Sequence, residues 1–228
     1  MFRPNTYAPF LVSLIAASAS LVAHPAFADI DPRDASRLQA CIIKTDTSPL
    51  EALEDGLVWR NQSGGIYAEQ CIALAKIALG DIAGGASKLA ALARAPDAGD
   101  GGQRALLLAK AANAWLMISE FDGALQATNA ALLLKPDEVD LLIDRARAYA
   151  GLGNWAKAQV DLTLALSRRP SDALIFRLRA EAYLQQRNYD GADRDVVEAL
   201  RLAPRDVEGY IVRGRAIEAR RLGRAPES

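Results

Sequence analysis

The stretch GNWAKAQVDLTLALSRRP, residues 153–170, decides the architecture, because 34 residues later it returns as RNYDGADRDVVEALRLAP, residues 187–204. Asn154/Asn188, Ala158/Ala192, Asp161/Asp195, Ala165/Ala199, Leu166/Leu200 and Pro170/Pro204 coincide, and Trp155 stands opposite Tyr189. One period earlier lies SEFDGALQATNAALLLKP, residues 119–136, with Phe121, Ala124, Ala131 and Pro136 in register. Upstream of each segment runs another helical pattern with a small residue and then an aromatic three places on: Ala112/Trp115, Ala146/Tyr149 and Ala180/Tyr183. Small residues let two helices of a hairpin approach closely, and the aromatic fills the space between hairpins. Proline closes the second helix, since it cannot donate to it and biases the residue before it away from helix.

Elsewhere, too, apolar residues recur at helical spacing, broken by Gly, Pro and Asp, while alternating strand-like runs are missing. The class is all-α. One such hairpin cannot bury its own apolar face, so neighbours must stack.

Residues 105–136, 139–170 and 173–204 resemble three tetratricopeptide repeats, and a lone helix over 207–222, with Gly214 in the small position, follows as a C-terminal cap. The resemblance implies a right-handed α-solenoid of antiparallel helix hairpins. Two positions depart from the pattern: Thr128 stands where a large apolar residue is usual, and Ile217 replaces the aromatic of the last helix. Upstream the period weakens. Helices are expected near 34–44, 49–61, 65–79 and 82–94, which makes residues 29–94 two degenerate hairpins. APDAGDGGQR, residues 95–104, reads as a flexible linker.

Residues 1–28 have the make-up of a secretory signal peptide: Arg3, an apolar run, then Ala26-Phe27-Ala28 before the expected cleavage point. The run falls short of the ~20 residues of a membrane span, so the product is expected to be exported, periplasmic and not integral to the membrane. Cleavage also removes His24, the only histidine in the chain. That leaves no Ser-His-Asp or Cys-His catalysis and no zinc site that needs imidazole. The formal charge of −1 becomes −2 without Arg3, which gives no case for nucleic acid as partner. No cofactor, metal or catalytic set is expected. Cys41 and Cys71, an even pair in an exported chain, favour a disulfide over two buried thiols. On the repeat reading they fall on the first helices of successive hairpins.

Arg145, Arg179 and Arg213 are spaced by 34, and Asp161 and Asp195 follow the first two by 16. In the preceding repeat both positions are alanine, Ala111 and Ala127. Arginine and partner therefore come and go together, which points to structural pairs Arg145–Asp161 and Arg179–Asp195, with a ligand-binding ladder as the alternative.

The tetratricopeptide resemblance places binding on the concave surface lined by the first helices. The exposed inner positions are then Lys110, Asn113, Met117, Asp144, Arg147, Arg177, Glu181, Gln185 and Arg215. Lys110 and Asn113 match part of the family's clamp for a C-terminal carboxylate; its remaining positions do not follow. Trp59 lies outside the register, which leaves it open as a surface anchor. Residues 29–167 carry 13 basic and 18 acidic side chains, net −5, and residues 168–228 carry 13 and 10, net +3, so the C-terminal end suits an acidic partner. The expectation is a non-enzymatic scaffold or assembly factor that binds a protein or peptide of the cell envelope. A self-associating oligomer is one alternative. A glycan-processing enzyme using the carboxylates of Asp144 and Glu181 is the other.

Overall fold

The computed structural model describes residues 32–223; the expected leader, 1–28, lies outside them. Among the described residues there are eleven α-helices and no strand. They are α1 (Pro32–Thr47), α2 (Pro49–Asn61), α3 (Gly65–Ala78), α4 (Ile82–Leu92), α5 (Gly101–Met117), α6 (Phe121–Leu134), α7 (Val139–Gly151), α8 (Trp155–Arg168), α9 (Ala173–Gln185), α10 (Tyr189–Leu202) and α11 (Val207–Leu222). Each packs chiefly on its neighbours in sequence, hairpin upon hairpin, which is the arrangement of an α-solenoid.

The hairpins α5/α6, α7/α8 and α9/α10 share one turn. Ser119 (φ 59°), Gly153 (φ 72°) and Arg187 (φ 61°) take the left-handed conformation at equivalent positions. The next residue's N–H then donates to the carbonyl of Trp115, Tyr149 or Tyr183 at 2.9, 2.8 and 2.8 Å, closing the first helix. Asn154 and Asn188 start α8 and α10 by accepting from the Lys157 and Gly191 N–H groups. Ala112, Ala124, Ala146 and Ala158, at the repeated small positions, are all buried within these hairpins. Thr128, the polar exception, is fully buried and donates its hydroxyl to the Ala124 carbonyl at 2.8 Å.

The same turn appears at Ser63 (φ 67°), where the Gly64 N–H reaches the Trp59 carbonyl at 3.0 Å. Gly56, Trp59, Ala68 and Ala75 stand at the offsets from Ser63 that Ala112, Trp115, Ala124 and Ala131 keep from Ser119. Helices α2 and α3 therefore form a fourth hairpin of the same type. A Cβ on Gly56 would sit 2.9 Å from Ile72 Cγ1, so the helices approach there as closely as the register demands. This pairing differs from the expected α1/α2 and α3/α4. The period hides because α4 and its flanking turns, residues 79–100, are inserted before the next copy. Trp59, only 3% exposed, is core and no surface anchor; the Arg37 guanidinium lies over its ring at 4.8 Å.

The expected linker 95–104 also needs correction. Helix α5 begins at Gly101, because Asp100 and Gln103 form a reciprocal capping box. Ala98 is buried, and Arg104 donates to the carbonyls of Gly99 and Ala93 at 3.1 and 3.2 Å, so the connection is tied down. At the other end Cys41 of α1 and Cys71 of α3 are disulfide-bonded with Cα atoms 5.9 Å apart. Helix α11 closes the stack by packing Val212 on Val196 and Leu200, and Ala216 and Ala219 on Leu184 and Ala192.

Candidate functional site

The first helices α5, α7, α9 and α11 present one shared face, and repeat-equivalent positions on it form columns 34 residues apart. Asn113, Arg147, Glu181 and Arg215 make one column. Lys110 and Asp144 begin a second, which continues with Leu178 and Val212; Met117, Gly151 and Gln185 belong to a third.

Most of these residues engage one another. Asn113 on α5 donates its side-chain amide to Asp144 on α7 at 2.9 Å, and Arg147 approaches the other carboxylate oxygen at 3.4 Å. Asp144 is thereby covered, 7% exposed, where an open inner position was expected. Burial pushes its carboxyl above the usual carboxylate range, while Arg147 and Asn113 pull the other way. One repeat on, Glu181 accepts from Gln185 and from Arg215, each at 2.9 Å. Arg177 pairs with Asp206, the residue that begins α11, at 2.9 Å. Asp144 and Glu181 thus sit in separate ion-pair clusters, which does not assemble the two free carboxylates that glycoside chemistry requires.

Lys110 and Met117 stand apart from this network. Lys110 is half-buried and forms no ion pair among the described residues; burial lowers its pKa from the ordinary lysine value. Met117 is 67% exposed. Leu106, on the same stripe of α5 (i, i+4, i+7, i+11), is also exposed, and so is its repeat equivalent Leu174 on α9. These two leucines are absent from the expected set, in which Met117 is the one apolar residue. Their exposure at an i position shared with Asp140 and Glu208 is the signal that finds them.

Away from this face, the arginine ladder joins helices. Arg145 Nε and Nη2 donate to the two Asp161 oxygens, both at 2.8 Å, and Arg179 does so to Asp195 at 2.6 and 2.9 Å. Each arginine has a further reach: Arg145 Nη1 donates to Asn129 at 3.2 Å, and Arg179 Nη1 to Thr163 at 3.3 Å. Asn129 and Thr163 are themselves one period apart, on the second helix of the preceding hairpin. Arg213, the third member, has no such partner among the described residues and is exposed. Among the described residues no helix is long and apolar enough to cross a membrane, and no group of three acidic, histidine or cysteine side chains is placed to hold a metal ion.

Stacked helix hairpins with a shared first-helix face define a helical-repeat protein. Residues 118–180 match the tetratricopeptide repeat family model. The matched segment, from α6 into α9, is a tetratricopeptide repeat region. Its fold is similar to the thermophilic repeat protein TTC0263 from Thermus thermophilus (TM-score 0.56, 20% identity, 81% of this chain and 99% of that one). It is similar also to MamA of MSR-1 (TM-score 0.59, 17% identity, 78% and 100%). The first tetratricopeptide domain of Spaghetti (RPAP3), bound to the HSP90 peptide SRMEEVD, aligns with a TM-score of 0.50 and 24% identity over 53% of this chain and 95% of that one. No curated protein matches the sequence. These neighbours share the stacked-hairpin fold of this chain.

Proposed function

We propose that the protein is a non-catalytic scaffold of the bacterial cell envelope, exported by its leader, that binds an extended peptide or protein segment along the first-helix face. The observation that carries this reading is Lys110: a half-buried ammonium without an ion-pair partner among the described residues, on the same stripe as exposed Leu106 and Met117. A desolvated cation gains most from a carboxylate brought by a ligand, because the cost of removing it from water is already spent. The apolar neighbours supply a seat for an adjacent side chain. Arg147, Arg177 and Arg215 are engaged internally and serve to shape the face rather than to anchor the ligand.

The test is a crosslinking pull-down from an envelope fraction of the source organism with wild type, Lys110→Glu and Met117→Lys. A protein retained by the wild type and lost by both variants supports the reading. Equal recovery by all three removes the site from this face. Recovery of the protein alone favours self-association, for which light scattering against concentration is the direct check.

A further inference from the structure

In the hairpins that follow, the position of Asp144 belongs to the core: Leu178 packs against the central apolar cluster, and Val212 is 5% exposed. Asp144 itself is 7% exposed, so α7 carries the desolvation of a carboxylate where a leucine or valine would pack without it. Its partner is an exception of the same kind. Asn113 shares a column with Arg147, Glu181 and Arg215 and is the one uncharged residue in it. Among α5, α7, α9 and α11 this amide and this buried carboxylate each occur once, and they meet.

The meeting fixes which way the amide faces. Asn113 Nδ2 donates to the Asp144 carboxylate at 2.9 Å and to the Ala109 carbonyl, one turn back on its own helix, at 3.2 Å. A backbone carbonyl only accepts, and so does an ionised carboxylate, so the network assigns the nitrogen to that side. Both amide hydrogens are thereby engaged. Asn113 is an exposed residue, and among the described residues nothing donates to its side-chain oxygen. That oxygen is an acceptor held ready at the surface. Lys110, three residues earlier and so its neighbour on the helix face, has the opposite character, for an ammonium only donates. Exposed Leu106 and Met117 flank the two on the same stripe.

A chain-terminal carboxylate does not suit such a pair. It brings acceptors alone, and on Lys110 it would lay one of them against the Asn113 oxygen. A residue inside a chain brings both halves: an aspartate or glutamate side chain for Lys110 and a backbone N–H for Asn113. We infer that the stripe Leu106–Lys110–Asn113–Met117 reads an internal, extended protein segment by one acidic side chain and one backbone N–H, and discriminates against a free C-terminus. Asp144 is the positioning residue that sets this polarity. The inference rests on the peptide-binding reading of this face and names the ligand's chemistry. The partial match of Lys110 and Asn113 to a clamp for a C-terminal carboxylate is thereby limited to residue type, since the amide hydrogens that would hold such a group are already taken.

The experiment titrates the full chain with two pools of acetylated pentapeptides that carry Ala, Leu, Val or Phe around a fixed centre. One pool has a central glutamate and an amidated end; the other has a central glutamine and a free C-terminal carboxylate, so the net charge is equal. The expected result is that the glutamate pool binds about tenfold tighter, the scale of a charged hydrogen bond to a desolvated partner. Lys110→Met removes most of that advantage. Methylating the backbone nitrogens of the glutamate pool weakens binding by about threefold to tenfold, as for one neutral hydrogen bond, and Asn113→Ala abolishes the difference between methylated and unmethylated peptide. Asp144→Leu installs the residue that the repeat uses on α9, keeps the fold by circular dichroism, and frees the amide to turn, so the preference between pools falls to about twofold or less. Binding that needs Lys110 but favours the free C-terminus, or that is indifferent to backbone methylation, overturns the inference and leaves the peptide-binding reading standing. Binding indifferent to Lys110→Met, or no saturable binding at millimolar peptide, overturns both.

Discussion

Arg179 grips Asp195 across the α9/α10 hairpin with two hydrogen bonds of 2.6 and 2.9 Å, and the Phe176 and Tyr183 rings lie 5.8 and 5.7 Å from its guanidinium carbon. Asp195 is buried and the arginine half-buried, so each depends on the other for solvation. The bond to Asp195 holds the arginine's pKa above its ordinary value. Arg179→Ala or Asp195→Ala leaves an uncompensated charge and is expected to cost about 2–4 kcal/mol in urea unfolding. The double replacement Arg179→Met with Asp195→Leu should cost much less than the sum of the singles. A simple sum would show that the two do not act as a pair.

Asp144 has a definite pH signature. Its folded pKa is raised by burial, so between the unfolded and folded values the native state holds the proton and the unfolded state does not. Stability from this group is then present at low pH and lost as the pH rises through that window. Asp144→Asn should be no less stable than wild type at pH 7, and its advantage should shrink as the pH falls towards 3. Urea midpoints of both proteins from pH 3 to 7 read this directly; a gap that widens on acidification would contradict it.

Helix α1 contributes Cys41 as its one buried residue among those described. It is held otherwise by partly buried Leu38 against the α2/α3 core, by the Arg37 guanidinium over Trp59, and by exposed contacts such as Lys44–Asp55 and Arg37–Gln62. Closing the 30-residue loop with the Cys41–Cys71 bond stabilises the fold by about 3–4 kcal/mol on the chain-entropy model. Cys41→Ser with Cys71→Ser should release α1, so that amide exchange over 32–47 rises sharply while α5–α11 stay protected. Uniform loss of protection would show instead that α1 folds as one unit with the stack.

The left-handed turn position offers a matched set. Gly153 fills it without strain, whereas Ser119 and Arg187 hold a conformation that costs a side-chain-bearing residue about 1 kcal/mol. Arg187→Gly should raise stability by about 0.5 kcal/mol, and Gly153→Ala should lower it by about 1 kcal/mol. Thermal melts of the two variants should move in opposite directions.

The regular hairpins are legible in sequence because Ala112, Ala146 and Ala180, and the aromatics that follow them, recur at one fixed interval. The earlier hairpin obeys the same rules through Gly56, Trp59, Ala68 and Ala75, but the 22 residues of 79–100 break the interval, and a periodic reading loses it. The 95–104 segment misleads by composition: its glycines and aspartates read as a linker, while the Asp100 and Gln103 pair uses that same polarity to start a helix. On the first-helix face, sequence register locates the columns but not who bonds whom. Asp144 is covered through a bond from Asn113, 31 residues away, a pairing that the register alone does not give, whereas Leu106 and Leu174 share a repeat position with the charged Asp140 and Glu208.

The backward reach of the clasp arginines has a mechanical consequence. Arg145 ties α7 to α8 and, through Asn129, to α6; Arg179 ties α9 to α10 and, through Thr163, to α8. Each fastens its own hairpin and fixes the angle at which that hairpin leans on the one before. Where Ala111 and Ala127 replace the pair, in α5/α6, the tie to the preceding helix comes instead from Arg104, which donates to the Ala93 carbonyl at the end of α4. The clasps therefore couple the helices from α6 to α10 in series, so that a tilt imposed on one of these hairpins is passed to the next.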